Sequence, residues 1–215
     1  MAKKKSGSFI KQAAILAFAS IMVRFLGFLY RIPMTNMIGN TGNAIYSAGY
    51  YIYTFLLILS SAGLPAAISK MVSERLAAGE YRNAHKVFQI SLLVSGTLGF
   101  VFMVLMFVFA KQIAEFFAHS PESYYCILTL SPTIFIVAIM SSYRGYFQGM
   151  NSMLPTAFSQ IVEQIFNAFF SVYLAYVLLG YGVDKAAGEK NVILGAAGGT
   201  AGTGIGALAG LLVIM

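Results

Sequence analysis

Apolar residues in this chain gather into long runs, and polar residues are confined to the gaps between them or to single positions inside them. Six runs approach the roughly 20 residues that cross a bilayer: 9–32, 44–68, 87–110, 124–147, 154–179 and 192–215. They are continuous and more than twice the roughly 10 residues of a barrel strand, so they predict helices and not a β-barrel. Pro33 is expected to end the first helix, and Gly63-Leu64-Pro65 to kink the end of the second, because proline removes a backbone donor. Ser131-Pro132-Thr133 is expected to kink the fourth. The segment 69–86 is the most charged of the chain, and Ile68, Val72 and Leu76 recur four apart. It predicts an amphipathic helix lying on the inner membrane surface, broken at Gly79. Only Met150 to Met153 separate the fourth and fifth runs, which predicts antiparallel neighbours. Gly182 to Asn191, with Asp184, Lys185 and Glu189, reads as a polar outer loop.

The polar positions inside the runs carry the candidate chemistry. In the fifth run Thr156, Gln160, Glu163, Asn167 and Ser171 share one face at about 100° per residue. A carboxylate near mid-depth costs about 2.5 kcal/mol or more in lipid, so this face must meet protein or water. In the first run Ser20, Arg24, Gly27 and Arg31 share a face. Arg31 is near the outer end and can snorkel, whereas Arg24 is too deep for an easy escape. Arg24 and Arg31 on the first helix, and Gln160, Glu163 and Asn167 on the fifth, are therefore expected to surround a polar cavity for an amphiphilic or charged substrate. The rival reading is an ion pair that only fixes helix packing. The sixth run carries Gly198, Gly202, Gly206 and Gly210, a ridge of small residues that lets two helices approach closely. That run reaches Met215, which leads to the expectation that a further part of a larger protein is missing.

Composition agrees with the pattern. Apolar residues are 59% of the chain, charged residues 10%, and mean hydropathy is +0.78, which places it among integral membrane proteins. The net charge of +7 does not point to nucleic acid. With the N terminus inside, Lys3, Lys4, Lys5, Lys11, Lys70, Arg75, Arg82, Lys86 and Arg144 fall in inner segments. Arg31, Lys111, Lys185 and Lys190 fall outside, an excess that orients the chain in the cytoplasmic membrane. Lys3 to Lys5 followed by Ala17-Phe18-Ala19 has the outline of a secretory leader, but the apolar run continues past it through Leu29. Cys126 is the single cysteine, so a disulfide within the chain is excluded.

No metalloprotease, phosphate-loop or nucleophile-elbow motif is present, so no enzyme is expected. His119 has no second ligand at metal spacing, and no cofactor or metal is expected beyond a coupling cation such as Na+ or H+.

The stretches Ala62-Gly63-Leu64-Pro65-Ala66-Ala67-Ile68-Ser69-Lys70, Tyr143-Arg144-Gly145-Tyr146-Phe147-Gln148-Gly149 and Gln160-Ile161-Val162-Glu163-Gln164 carry a resemblance. They resemble the polysaccharide-biosynthesis branch of the multidrug/oligosaccharidyl-lipid/polysaccharide (MOP) exporter superfamily, in particular its stage V sporulation protein B type, related to MurJ-like lipid II flippases. The resemblance implies one N-terminal lobe, residues 1–215, of a two-lobe transporter that works by alternating access. It implies a flippase that moves a lipid-linked oligosaccharide or peptidoglycan precursor outward, with the C-terminal lobe as its partner. The first-span arginine that faces the carrier diphosphate in such flippases matches Arg24. Their second-span arginine pair falls on Leu57 and Ile58 here, so the likeness reaches the flippase class and not lipid II itself. The alternatives are a cation-coupled multidrug exporter of the same superfamily, which the basic Arg24 disfavours, and a non-transporting membrane scaffold built on the glycine ridge.

Overall fold

A computed structural model describes residues 2–61, 63–181 and 190–215, with side chains from residue 12 onward. The side chains of Lys3, Lys4, Lys5 and Lys11 and the loop residues Asp184, Lys185 and Glu189 lie outside the described residues. The described residues are almost entirely helical and contain no strand.

Helix α1 runs Ala2–Ser61. Sixty residues of straight helix would reach about 90 Å, three times the hydrocarbon core of about 30 Å. The chain breaks the helix at Gly39, where φ is 69° and ψ −172°, a backbone conformation open mainly to glycine. Ile45 and Tyr46, beyond the break, pack with Met34 and Ile38 before it. The halves 2–38 and 40–61 are thus the first two passes. Pro33 does not end the first helix as expected but stays inside it. In lipid a freed carbonyl has no water to turn to, so the helix is retained around the proline. The break falls instead at the glycine that can take a positive φ.

At the kink expected around Gly63-Leu64-Pro65, α1 ends at Ser61 and α2 runs Leu64–Ala77 with Pro65 in its first turn, where its missing N–H is no loss. Helix α2 buries Ile68 and Val72 against two glycines of α5 (Tyr124–Gly149). A Cβ on Gly145 would stand 2.9 Å from Ile68 Cβ, and one on Gly149 2.7 Å from Val72 Cβ. Gly79, at φ 77°, turns the chain into α3 (Tyr81–Val108).

At this turn the Glu80 carboxylate accepts hydrogen bonds from Asn83 Nδ2 and Arg75 Nη1, both at 2.9 Å. The bond from Asn83, then that from Arg75, hold Glu80 below the ordinary carboxylate range. A depressed pKa adds stability above the unfolded value, about 4.3, and that stability is lost as pH falls through the lower folded value. Amide protection of residues 80–84 is therefore expected to weaken on acidification between about pH 5 and pH 3, and Glu80→Gln to remove most of that dependence.

Helix α3 turns Ile90, Leu93, Phe100 and Phe107 outward. Inward it meets α5 through Gly99 at Ala138 and through a 2.7 Å hydrogen bond between the Ser95 and Ser142 hydroxyls. A short α4 (Ala110–Gln112), a π-helical turn (Ile113–Phe117) and a 3-10 turn (Pro121–Ser123) lead into α5, which remains one helix through Pro132. Helices α6 (Leu154–Leu179) and α7 (Val192–Ile214) occupy the fifth and sixth apolar runs. The end holding α2 and the α5–α6 turn is called inner here, following the charge distribution, and the opposite end outer.

The expectation that α5 and α6 are side-by-side neighbours is corrected by α7, which lies between them and packs along both. The reason is the glycine ridge. A Cβ on Gly198 would stand 2.6 Å from the Leu174 carbonyl carbon, one on Gly206 2.5 Å from the Glu163 carbonyl oxygen, and one on Gly202 would run into the Ser171 backbone. A bare backbone comes closer to α6 than α5, with its side chains, can.

Candidate functional site

The polar face of α6 divides into two parts. Toward the outer end it is committed to α7. Asn167 Oδ1 accepts from Ser171 Oγ at 2.9 Å and from Thr203 Oγ1 at 3.3 Å, and Ser171 Oγ also lies 2.7 Å from the Gly199 carbonyl. Both Asn167 and Ser171 are buried under the glycine ridge. This is how a membrane helix satisfies polar groups: it spends them on a neighbour. Asn167, expected on a cavity wall, is therefore placed in a helix–helix seam.

Toward the inner end the face holds an ion pair. Arg144, one turn before the end of α5, donates from Nη2 to Glu163 Oε2 at 2.6 Å. Its Nε and Nη2 also reach Ser159 Oγ at 3.3 and 3.2 Å, and Ser159 Oγ donates to the Thr156 carbonyl at 2.9 Å. The Arg144 and Glu163 side chains keep 15% and 26% of their surface exposed, so the pair is sheltered yet within reach of water. One and two turns inward of Glu163, Gln160 Oε1 and Thr156 Oγ1 are buried with no hydrogen-bond partner among the described residues.

Arg24 is not the partner of Glu163. It is exposed on the first half of α1, and among the described residues it makes no ion pair. That half approaches α6 at Gly27, where an added Cβ would stand 3.4 Å from Gln164 Nε2. Arg31, seven residues on, is also exposed and borders a shallow cleft of about 340 Å³ with Thr35 and Asn36. Another cleft, of about 630 Å³, opens between α1 and α6, lined by Leu26, Tyr30, Pro33, Phe169 and Tyr173 among others. Its wall is apolar, and it contains none of Arg24, Gln160, Glu163 and Asn167. The structure therefore brings Glu163 together with Arg144 and Ser159, one turn from Gln160, and leaves Arg24 and Arg31 exposed on the first half of α1, outside that ion pair.

The residue that the sequence reading missed is Arg144. The charge pattern reads it as a topology-setting cation of the inner segments, although it lies within the apolar run 124–147, as Arg24 lies within its own. Its place inside a span was the available signal.

Comparison with known proteins gives a consistent result. The profile of the family described as polysaccharide biosynthesis protein matches residues 9–214. The chain is 34% identical over 180 residues to stage V sporulation protein B of Bacillus subtilis (strain 168), covering 84% of this chain and 35% of that protein. To the lipid II flippase MurJ of the same organism it is 32% identical over 182 residues, covering 81% of this chain and 34% of that protein. Its fold resembles a MOP superfamily transporter from Pyrococcus furiosus, with TM-score 0.73 and 18% identity over 95% of this chain and 43% of that one. It also resembles an outward-facing multidrug resistance MATE family transporter, with TM-score 0.74 and 17% identity over 95% and 44%. At these identities the structural likeness speaks for the fold alone. The chain spans about a third of the length of the curated relatives it matches and under half of the solved transporters.

Proposed function

The chain belongs to the polysaccharide biosynthesis protein family, and from that premise we propose that it is the N-terminal lobe of a flippase moving a lipid-linked sugar precursor from the inner to the outer leaflet of the cytoplasmic membrane. The N terminus lies inside, the chain forms or breaks no covalent bond in its substrate, and a second lobe completes the transport path. The observation that carries this reading is Arg24. A guanidinium exposed near the middle of an apolar run costs about 2.5–3.5 kcal/mol or more in lipid, and Arg24 has no carboxylate partner among the described residues. Its face of α1 is thus unsuited to lipid and suited to an aqueous path that an anionic carrier crosses. Arg24 attracts the diphosphate, and Arg31, two turns outward on the same face, receives it next.

Glu163 is the coupling or gating group. A proton or Na+ that takes its carboxylate releases Arg144, and Gln160 supplies a neighbouring oxygen or donor. Asn167 holds the outer half of α6 in register for this exchange. Membrane potential provides about 2.3 kcal/mol per charge per 100 mV.

The test is flipping of a fluorescent polyprenyl-diphosphate oligosaccharide in proteoliposomes that contain the complete transporter. Arg24→Ala is expected to slow flipping at least about tenfold, the equivalent of one charge-assisted hydrogen bond, with Arg24→Lys retaining part of the rate. Wild-type flipping by Arg24→Ala would remove the assignment.

A further inference from the structure

At the outer end a cleft of about 540 Å³ is bordered by five elements and lined by Lys111 of α4, Glu115 of the π-helical turn, Glu122 of the 3-10 turn, Tyr124 and Tyr125 of α5, and Ile193 of α7. Its volume is that of a small-molecule site. Two features of the backbone set it apart from an ordinary loop. The turn 113–117 is wound with π-helical bonds, and His119 has a positive φ of 47°, which a residue with a Cβ adopts only under constraint. The constraint is visible. Ser120 N donates to the Ala114 carbonyl at 3.0 Å, and the buried Ser123 donates to the Ser120 carbonyl from both N, at 2.9 Å, and Oγ, at 2.7 Å. Wide turns and constrained residues recur where a side chain must be re-aimed toward a ligand.

The lining selects among ligand classes. Among the described residues none of Lys111, Glu115 and Glu122 is in an ion pair, and all three line the cleft a guest would enter. Two carboxylates against one ammonium leave the rim net negative, which repels a diphosphate, while Lys111 opposes an organic cation. The Tyr124 and Tyr125 rings, with centroids 5.2 Å apart at 69°, and Ile193 offer an apolar floor with phenolic edges. A floor that stacks a ring, under acceptors for hydroxyl groups and one donor, is the complement of a sugar: hydroxyls around its rim and apolar C–H faces. We propose that this cleft is a subsite for the glycan part of the substrate at the outer face, separate from the Arg24–Arg31 face and from the Arg144–Glu163 pair. The inference rests on the flippase reading only for where the glycan comes from.

The chain contains no tryptophan, so Tyr125→Trp places a single indole in the cleft while keeping an aromatic floor. In phosphatidylcholine nanodiscs, free of glycoside detergents, its emission is titrated with N,N′-diacetylchitobiose, with a short-chain polyprenyl-diphosphate disaccharide and with tetraphenylphosphonium. The expected result is a saturable change with both sugars. It should weaken at least about tenfold in Glu115→Gln/Glu122→Gln, by the loss of two charged acceptors, with thermal unfolding of that variant unchanged. A saturable response to the lipid-linked sugar alone, to tetraphenylphosphonium in place of sugar, or undiminished in the double variant overturns the proposal. This is equilibrium binding at the outer face, so its failure leaves the flipping measurement on Arg24→Ala untouched, and a loss of flipping there says nothing against the cleft.

Discussion

Replacing Arg144 with methionine is expected to lower the unfolding free energy by about 3 kcal/mol, and replacing Arg144 and Glu163 together with methionine and leucine is expected to return most of it. Removing the arginine alone leaves a carboxylate in a half-sheltered site without its 2.6 Å partner, and the penalty for an uncompensated charge there is several-fold larger than the net worth of the pair. The value is set below the upper end for fully buried pairs because the Glu163 side chain keeps 26% of its surface exposed and water supplies part of the compensation. Ser159 adds to the asymmetry, since its hydroxyl loses the guanidinium it faces at 3.2–3.3 Å. The measurement is a double-mutant cycle by denaturant unfolding in mixed micelles. Equal stability of wild type and Arg144→Met would mean that the pair does no structural work. A double variant as unstable as the single one would mean that the loss arises from packing around the arginine stem and not from charge.

The second large effect is expected at Gly202→Leu, which should cost about 3 kcal/mol or more, to the point of losing folded protein from size-exclusion profiles. The Cβ alone would collide with the Ser171 backbone and hydroxyl, so α7 must back away from α6 along its length. The bonds of Asn167 and Ser171 across that seam are then lost with the packing. Gly202→Ala should already show much of the loss, which keeps the prediction measurable if the leucine variant does not fold. Gly96→Ala is the control: a Cβ there meets nothing within 4 Å, and alanine in mid-helix is expected to be neutral or to stabilise by up to about 1 kcal/mol. If Gly202→Ala behaves like Gly96→Ala, the close approach of α6 and α7 is not what holds the lobe together.

These two sites show what can and cannot be read from a single sequence. Hydrophobic run lengths placed α6 at 154–179 and α7 to within a residue, because in lipid the backbone must be satisfied within the segment, leaving length and composition to decide. The stripe of Thr156, Glu163, Asn167 and Ser171 was visible for the same reason. What faced the stripe was not. Periodicity reports a face, never the neighbour across from it, and the shortest connection suggested α5, whereas four glycines in the last run made α7 the better fit. Arg144 was hidden by a different ambiguity: near the end of a span, a cation serves topology and ion pairing with the same residue type. Pro33 does not end the first helix because proline is a strong breaker in water, where freed carbonyls find solvent, and a weak one in a membrane, where they do not.

The position of α7 between α5 and α6 also bears on how the chain is made. Helices leave the ribosome in order, so α5 and α6 are both in the bilayer before the wedge that separates them has been synthesised. During that interval the seam surface of α6, with Asn167 and Ser171, has no mate, and the attraction between Arg144 and Glu163 can hold the two helices at their shared end while leaving the far ends splayed. Biosynthesis of this lobe thus requires a nascent hairpin that stays open long enough to admit its last helix.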